Sequence, residues 1–194
     1  MSDPDLLAAV GPVLDALRAL GVRHYVGGSI ASSAHGVARA SIDADVVAEL
    51  RPEHAERLVL ALRDSCYVPE ARVQDAIARR TSFNVIHLET MLKVDVFVSR
   101  DRPFDRRAME RAQPAPSGVP GAAPLVLASA EDVVLAKLER FRRGGEVSQR
   151  QWGDVLGVLQ ASGASLDRQY LEGGASELGV SDLLARAEAE AERR

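Results

Sequence analysis

The fold is decided by two stretches of the chain, YVGGS at residues 25–29 and SIDADVV at residues 41–47. The first predicts a short strand, a turn of two glycines and a hydroxyl residue that opens a helix. Glycine lets a backbone approach a phosphate closely, and the free amides at the start of a helix favour its negative charge. A Gly-Gly-Ser turn alone is a weak signal, because most such turns bind nothing.

The second stretch places two aspartates, Asp43 and Asp45, two positions apart on a predicted strand. Residues two apart on a strand point to the same side, so the two carboxylates share a face. Such a pair repels, and burial strengthens the repulsion unless a positive charge compensates. A divalent cation compensates well, and Mg²⁺ prefers carboxylates together with substrate phosphates. The alternative is an exposed strand face that happens to be acidic.

A third acid, Asp95, lies within the apolar stretch LKVDVFV at residues 92–98. Polar and apolar residues alternate in two runs between positions 81 and 98, which predicts a β-hairpin. An acid in so apolar a strand requires a partner. Either Lys93 on the same face pairs with Asp95, or Asp95 joins the other two carboxylates.

Periodic apolar residues and capping signals predict helices over most of the remaining chain. They are expected at about residues 4–20 and 29–35, from Pro52, from Ser129, from Ser148, and near 167–178 and 181–192. Residues 113–124 contain four prolines and two glycines and are the best loop candidate. We therefore predict an α/β core at 1–112, a loop at 113–124 and a mostly helical part at 125–194 packed on the core.

Composition excludes several classes of protein. The 194 residues carry a formal net charge of -4, with acids and bases interspersed, so sequence-specific binding of duplex DNA is not expected. The basic cluster at 140–143 is interpreted as a solvated helix end. The single Cys66 fits a reducing compartment. Neither a signal peptide nor an apolar run of about 18 residues is recognised, so we expect a cytoplasmic protein without a membrane partner.

The order and spacing of the glycine turn, the Asp43-Ala-Asp45 pair and the later Asp95 resemble the nucleotidyltransferase (DNA polymerase β-like) superfamily. The resemblance implies an α+β fold. A nucleotidyltransferase-type mixed β-sheet would be flanked by helices and followed by a C-terminal helical annex. The strand order of that family also implies that the three acids meet at one edge of the sheet, which sequence spacing alone does not show.

Within the superfamily the chain looks most like the small bacterial AbiEii-like nucleotidyltransferase proteins. The likeness is carried by residues 27–43 and by EDVVLAKL at 131–138, followed by RQWGD at 150–154. Such proteins commonly have a lysine helix followed by a K-D-x-x-D helix. Here Arg150 and Gln151 replace the first two residues of that motif, and Asp154 is kept.

The resemblance implies a site for an NTP and Mg²⁺ or Mn²⁺. In it Asp43 and Asp45 are the principal metal ligands. Asp95 completes the metal on the attacking side and accepts the proton of the incoming hydroxyl.

The resemblance also implies that Gly27, Gly28 and Ser29 hold the phosphates, with contacts from Arg39 and Lys137. A surface arginine and a solvated lysine are the respective alternatives for the last two residues. Asp154 either orients Lys137 or Arg150, or lies on the polar side of its helix. Trp152 is in phase with the apolar stripe of its helix and is predicted to be core.

The predicted function is metal-dependent transfer of an NMP from an NTP to a hydroxyl acceptor. The acceptor is a protein side chain, a tRNA end or a small molecule, and a toxin of a toxin–antitoxin pair is one form of this enzyme. The first alternative is a catalytically inactive module that keeps the fold and binds nucleotide or a cognate protein partner. The second is a purely structural member of a two-protein system.

Overall fold

The computed structural model describes residues 4–36, 43–117 and 123–193. Its strands are β1 (His24–Val26), β2 (Asp43–Ala48), β3 (Cys66–Tyr67), β4 (Ser82–His87), β5 (Lys93–Val98), β6 (Gln113–Ala115) and β7 (Leu125–Leu127). Its helices are α1 (Pro4–Ala19), α2 (Gly28–His35), α3 (Ala55–Leu62), α4 (Glu70–Arg79), α5 (Pro103–Arg111), α6 (Ala130–Arg143), α7 (Gln149–Ser162), α8 (Arg168–Leu178) and α9 (Ser181–Ala191). Short 3₁₀ turns occur at Pro52–His54 and Gly163–Ser165.

The described strands form one mixed sheet in the order β3-β4-β5-β2-β1-β7-β6. The two strands that carry the acids, β2 and β5, are parallel neighbours in the middle of the sheet. The hairpin predicted between residues 81 and 98 is present as the antiparallel pair β4 and β5. On the other side of β2, strand β1 is antiparallel and places the glycine turn beside the start of β2.

Alternation along the strands gives the sheet two different faces. One face buries small and β-branched side chains, such as Ala44, Val46, Val94 and Val96, in a core with α1, α3 and α4. The helices α5 to α9 form a second core with one another against the opposite face, where Tyr25 and Phe104 are buried. The polar residues of β2 and β5 point to this second face and are only partly covered.

Both capping predictions are confirmed. The Ser129 hydroxyl accepts a hydrogen bond from the Asp132 amide at 3.1 Å, and the Ser148 hydroxyl accepts one from the Gln151 amide at 3.3 Å. A hydroxyl in this position satisfies an amide that has no partner within the helix. These caps therefore place the starts of α6 and α7, the two helices that face the polar side of the sheet.

One part of the predicted loop at 113–124 is wrong. Residues Gln113–Ala115 form β6, an edge strand that pairs with β7, and Pro114 lies opposite Val126. Proline lacks a backbone N–H, but an edge strand has one side without a neighbour, so no hydrogen bond of the ladder is lost there. In the described part of the chain, no helix combines the length and apolar character needed to cross a membrane.

Candidate active site

The structure brings the three predicted acids together on one face of β2 and β5. Asp45 lies directly opposite Asp95 in the parallel pairing, and Asp43 lies two residues before Asp45, at the start of β2. The side chains of Asp45 and Asp95 are only 13% and 17% exposed. The alternative of an exposed acidic strand face is therefore wrong for Asp45, whereas the side chain of Asp43 is 36% exposed.

Burial makes the charge of Asp45 costly. It raises the pKa of the Asp45 carboxyl, and the nearby carboxylates of Asp43 and Asp95 raise it further, while Arg140 acts in the opposite direction. A carboxylate that is both desolvated and close to like charges is unfavourable in its ionised form. The site therefore requires positive charge from the protein or from a ligand.

Basic side chains supply part of that charge. Arg140 Nη1 lies 3.5 Å from Asp45 Oδ2, and Arg150 Nη2 lies 3.8 Å from Asp43 Oδ1.

Asp95 has shorter contacts, with Lys93 Nζ at 2.8 Å and Asn84 Nδ2 at 2.7 Å. Both alternatives for Asp95 are thus realised, because it pairs with Lys93 and also lies beside the other acids.

Arg140 and Arg150 are site residues that sequence reasoning missed. The interpretation of 140–143 as a solvated helix end is wrong for Arg140, whose guanidinium lies 5.1 Å from the centre of the Phe97 ring and reaches Asp45. One signal was available in the sequence. Arg140 follows Lys137 by three positions, so the two side chains share a face of α6.

The side chains present fit a hard divalent cation in their chemistry, although they do not form a ready cluster. No three His, Cys, Asp or Glu side chains of the described residues are grouped as a metal site. The contacts of Asp45 with Arg140 and of Asp43 with Arg150 are longer than the roughly 2.7–2.9 Å of a charge-assisted hydrogen bond. The carboxylate oxygens of Asp43 and Asp45 are suited to Mg²⁺, so these are the two residues that would hold it.

The glycine turn is built around the two aspartates of β2. The Gly27 amide donates a hydrogen bond to the Asp45 carbonyl at 2.9 Å, and the Ser29 hydroxyl donates one to the Asp43 carbonyl at 3.1 Å. Gly28 has φ +54, and a Cβ at this position would overlap Oδ2 of Asp45 and lie 2.5 Å from its Cγ. The turn therefore leaves room for the Asp45 side chain, a role that the sequence did not reveal.

The same arrangement places the start of α2 beside Asp45. The first residues of a helix carry a partial positive charge, which favours an anion. An ionised Asp45, or a phosphate that approaches it, gains from this position. Arg39, which the sequence proposed as a phosphate contact, lies outside the described residues.

Lys137 is buried rather than solvated, so that alternative is wrong. Its side chain is 7% exposed, and Nζ lies 2.7 Å from Asp154 Oδ2 and 3.5 Å from Gln151 Oε1. Asp154 thus contacts Lys137, which is one of the three alternatives given for Asp154.

The packing of Trp152 is as predicted, because it is buried and its ring lies 5.2 Å from that of Phe141.

A cavity of about 280 Å³ joins these elements. It lies between the polar face of the sheet and α6, and its walls include Gly28, Asp45, Lys137 and Arg140. Val47 and Phe97 line it beyond the acids. Ligand sites are usually concavities of mixed apolar and polar lining, and this cavity has both kinds of residue in its walls.

Replacement of Lys137 by methionine is expected to destabilise the fold by about 3–5 kcal/mol. The reason is that Asp154, whose side chain is 8% exposed, would lose the Lys137 ammonium group that lies 2.7 Å from its carboxylate. Denaturant unfolding of the two proteins measures the difference.

The double variant Lys137→Met/Asp154→Leu separates a structural from a functional role for this pair. It removes both charges, and we expect most of the lost stability to return. If the double variant were as unstable as Lys137→Met, the buried pair would not be the cause of the loss. The double variant also removes the positive charge of Lys137 from the lining of the cavity.

Comparison with known proteins shows the fold. No protein-family model matches the chain, and no curated protein matches it. Among solved structures, the antibiotic-resistance factor ANT(2'')-Ia in solution is similar, with a TM-score of 0.55, 13% identity and coverage of 97% of each chain. The crystal structure of ANT(2")-Ia with adenylyl-2"-tobramycin has a TM-score of 0.58 at 12% identity, over 89% of this chain and 95% of that one.

A third similar structure is an antigenic nucleotidyltransferase-like protein from Paracoccidioides brasiliensis. Its TM-score is 0.54 at 16% identity, over 96% of this chain and 93% of that chain. At such identities the likeness shows the fold alone. The chain has the nucleotidyltransferase fold, a mixed sheet flanked by helices, as its sequence predicted.

Proposed function

We propose that this chain is a metal-dependent nucleotidyltransferase that moves an NMP from an NTP to a hydroxyl acceptor. One observation carries the proposal. The buried Asp45 shares a cavity with Lys137 and Arg140 and lies against the start of α2, with Asp43 beside it. Carboxylates for a metal and cations for phosphates are thus within one site on a nucleotidyltransferase fold.

In this proposal Asp43 and Asp45 hold Mg²⁺ or Mn²⁺, which would neutralise charge on the phosphates and orient the leaving pyrophosphate. Lys137 and Arg140 bind phosphate oxygens, and the guanidinium of Arg140 is suited to bidentate contact. Both are positioned before substrate arrives, Lys137 by Asp154 and Arg140 by the Phe97 ring. Such preorganised charge is the main source of catalysis in reactions of this class.

Asp95 remains the candidate for accepting the proton of the acceptor hydroxyl. Its carboxylate lies opposite Asp45 and is oriented by hydrogen bonds from Asn84 and Lys93. A proton acceptor has to be held within hydrogen-bond reach of the hydroxyl, so fixed orientation supports this role. The amides at the start of α2 are proposed to face the phosphates, whereas the Ser29 hydroxyl holds the backbone of β2.

The kinship with AbiEii-like proteins, a toxin-like role and a cognate protein partner are also proposals. They rest on the sequence resemblance. The contact between Lys137 and Asp154 supports the first of them, because it joins the lysine of EDVVLAKL to the one residue that the following motif retains.

A second candidate is a nucleotide-binding module without catalysis. The ion pairs of Arg140 with Asp45 and of Arg150 with Asp43 favour it, since these arginines supply the positive charge that a metal would otherwise provide. Such a module would bind an NTP without needing a divalent cation. Metal dependence of binding therefore separates the two candidates.

The test is the melting temperature of the purified protein with each NTP, with and without Mg²⁺ or Mn²⁺. An NTP at a hundredfold excess over its Kd stabilises the fold by about 2.7 kcal/mol. For a chain of this size that corresponds to a rise of roughly 5–10 °C. We expect the rise only with metal, and we expect Asp43→Asn to abolish it.

Asp75→Asn is the matched control, because Asp75 lies on α4, is half exposed and does not line the cavity. It should keep the full rise in melting temperature. A rise that needs no metal would favour the binding module. No rise at millimolar NTP would count against both candidates.

A further inference from the structure

The cavity extends well beyond the acids. Along β2 and β5 the side chains of the polar face follow one another at every second position, from Asp45 to Val47 and from Phe97 to Ser99. Ser99 is four residues beyond Asp95, a distance of about 13 Å at the rise of a strand. Arg80 donates a hydrogen bond to the Ser99 carbonyl, and Arg100 follows Ser99 in the chain. Both line the cavity, and we term the region around them the arginine end.

The arginine end has more basic than acidic groups available. In the whole cavity, the basic residues are Arg80, Arg100, Arg102, Lys137, Arg140 and Arg143, and the acidic ones are Asp45, Asp105, Asp132 and Glu139. Arg102 pairs with Asp105 and Glu139, Arg143 also pairs with Glu139, and Arg140 faces Asp45. Among the described residues no carboxylate lies within ion-pair distance of Arg80 or Arg100.

Arg80 is held in place at a cost to the backbone. It has φ +50 at the end of α4, a position where glycine is usual, because a left-handed conformation is unfavourable for a residue with a Cβ. Its Nη1 donates a hydrogen bond to the Ser99 carbonyl at 2.8 Å. The guanidinium is thereby fixed beside Ser99, and a guanidinium has four further N–H groups with which to bind an acceptor.

These observations define what the arginine end can bind. Arginine matches the geometry of phosphate oxygens, and two arginines beside the hydroxyls of Thr81, Ser82 and Ser99 suit such a group. The phosphates of an NTP are needed near Asp45 and the start of α2. Arg80 instead contacts Ser99, about 13 Å along the chain from Asp95, so a separate phosphate group is the simpler occupant there.

We infer that the arginine end binds a phosphate group of the acceptor, so that the acceptor is a small hydroxyl compound carrying a phosphate. This inference rests on the proposed function. The hydroxyl and the phosphate of one small compound would then both lie within this cavity. An acceptor with several ammonium groups, such as tobramycin, would be repelled by Arg80 and Arg100.

The first experiment titrates inorganic phosphate into the protein by calorimetry, with and without a saturating, non-hydrolysable ATP analogue and Mg²⁺. Wild-type protein is expected to bind phosphate saturably in both conditions. The variant Arg80→Gln/Arg100→Gln should bind it at least tenfold more weakly, and Arg80→Lys/Arg100→Lys should retain part of the affinity. The matched control is Arg57→Gln/Arg72→Gln, because both arginines are exposed and lie outside the cavity.

The second experiment measures transfer from labelled ATP to matched acceptors, ribose with ribose 5-phosphate and glycerol with glycerol 3-phosphate. We expect the phosphorylated member to be labelled at least tenfold faster, and the double glutamine variant to lose that preference. Equal labelling of each pair, labelling of tobramycin, or labelling of added RNA alone would overturn the inference.

The outcomes also separate this inference from the proposed function. Loss of ATP-analogue binding in Arg80→Gln/Arg100→Gln would assign the arginines to the nucleotide and overturn the inference, as would absence of phosphate binding to the wild type. If the wild type bound no NTP, the proposed function would fail. Phosphate binding that the double variant lacks would still support the anion site.

Discussion

Replacement of Asp45 by asparagine is expected to reduce nucleotidyl transfer at least about a thousandfold while leaving the fold as stable as the wild type, or more stable. A thousandfold loss corresponds to roughly 4 kcal/mol of transition-state stabilisation, the size expected if Asp45 is a metal ligand as proposed. Stability should not suffer, because burial already raises the pKa of Asp45 and its ionised form is unfavourable in the fold. Asparagine has nearly the same shape and no charge.

Loss of activity without loss of stability distinguishes a functional residue from a structural one. Most substitutions of buried residues lower the free energy of unfolding, whereas functional residues are often kept at the expense of stability. Denaturant unfolding and transfer from labelled ATP are measured on the same preparations, with Asp75→Asn as control. If Asp45→Asn kept its activity, the Asp45 carboxylate would not be required for transfer. One that loses several kcal/mol of stability would show that the carboxylate has a structural role.

Replacement of Gly28 by alanine is expected to destabilise the fold by about 2–4 kcal/mol and to abolish transfer. The added Cβ would overlap the Asp45 carboxylate and would sit on a residue with φ +54, so steric overlap and backbone strain add together. The Asp45 side chain would have to leave its position beside the start of α2. Thermal and denaturant unfolding measure the first effect, and transfer from labelled ATP measures the second.

A double-mutant cycle tests the stated cause. In Gly28→Ala/Asp45→Ala the overlap is absent, so the loss of stability should be smaller than for Gly28→Ala alone, leaving mainly the strain of the positive φ. Gly11→Ala is the control, because a Cβ at Gly11, inside α1, meets nothing within 4 Å. It should be neutral or slightly stabilising. Equal losses in the single and double variants would mean that Asp45 does not explain the need for glycine.

Two arginines offset the negative charge of Asp43 and Asp45 when no ligand is bound. Arg140 and Arg150 come from α6 and α7 and each faces one of the two aspartates. Both arginines remain about half exposed, so each can exchange its carboxylate for a phosphate oxygen without being drawn out of a buried position. This is consistent with the role proposed for Arg140 in binding the nucleotide.

The sequence by itself determined the features that depend on neighbours along the chain. The two-residue period of a strand placed Asp43 and Asp45 on one face, and the hairpin of β4 and β5 followed from two alternating runs and a turn. The serine caps placed the starts of α6 and α7. The wider sheet, and the expectation that Asp95 would join the other acids, came from the family resemblance.

Only the tertiary structure decided which residues face one another across the cavity. The pairing of Asp45 with Asp95, the approach of Arg140 from α6 and the exclusion of any side chain at Gly28 all join segments far apart in sequence. The edge strand β6 and the buried state of Lys137 depend in the same way on which element packs beside them. Local periodicity carries no information about such partners, because register and burial are set by the packing of the whole chain.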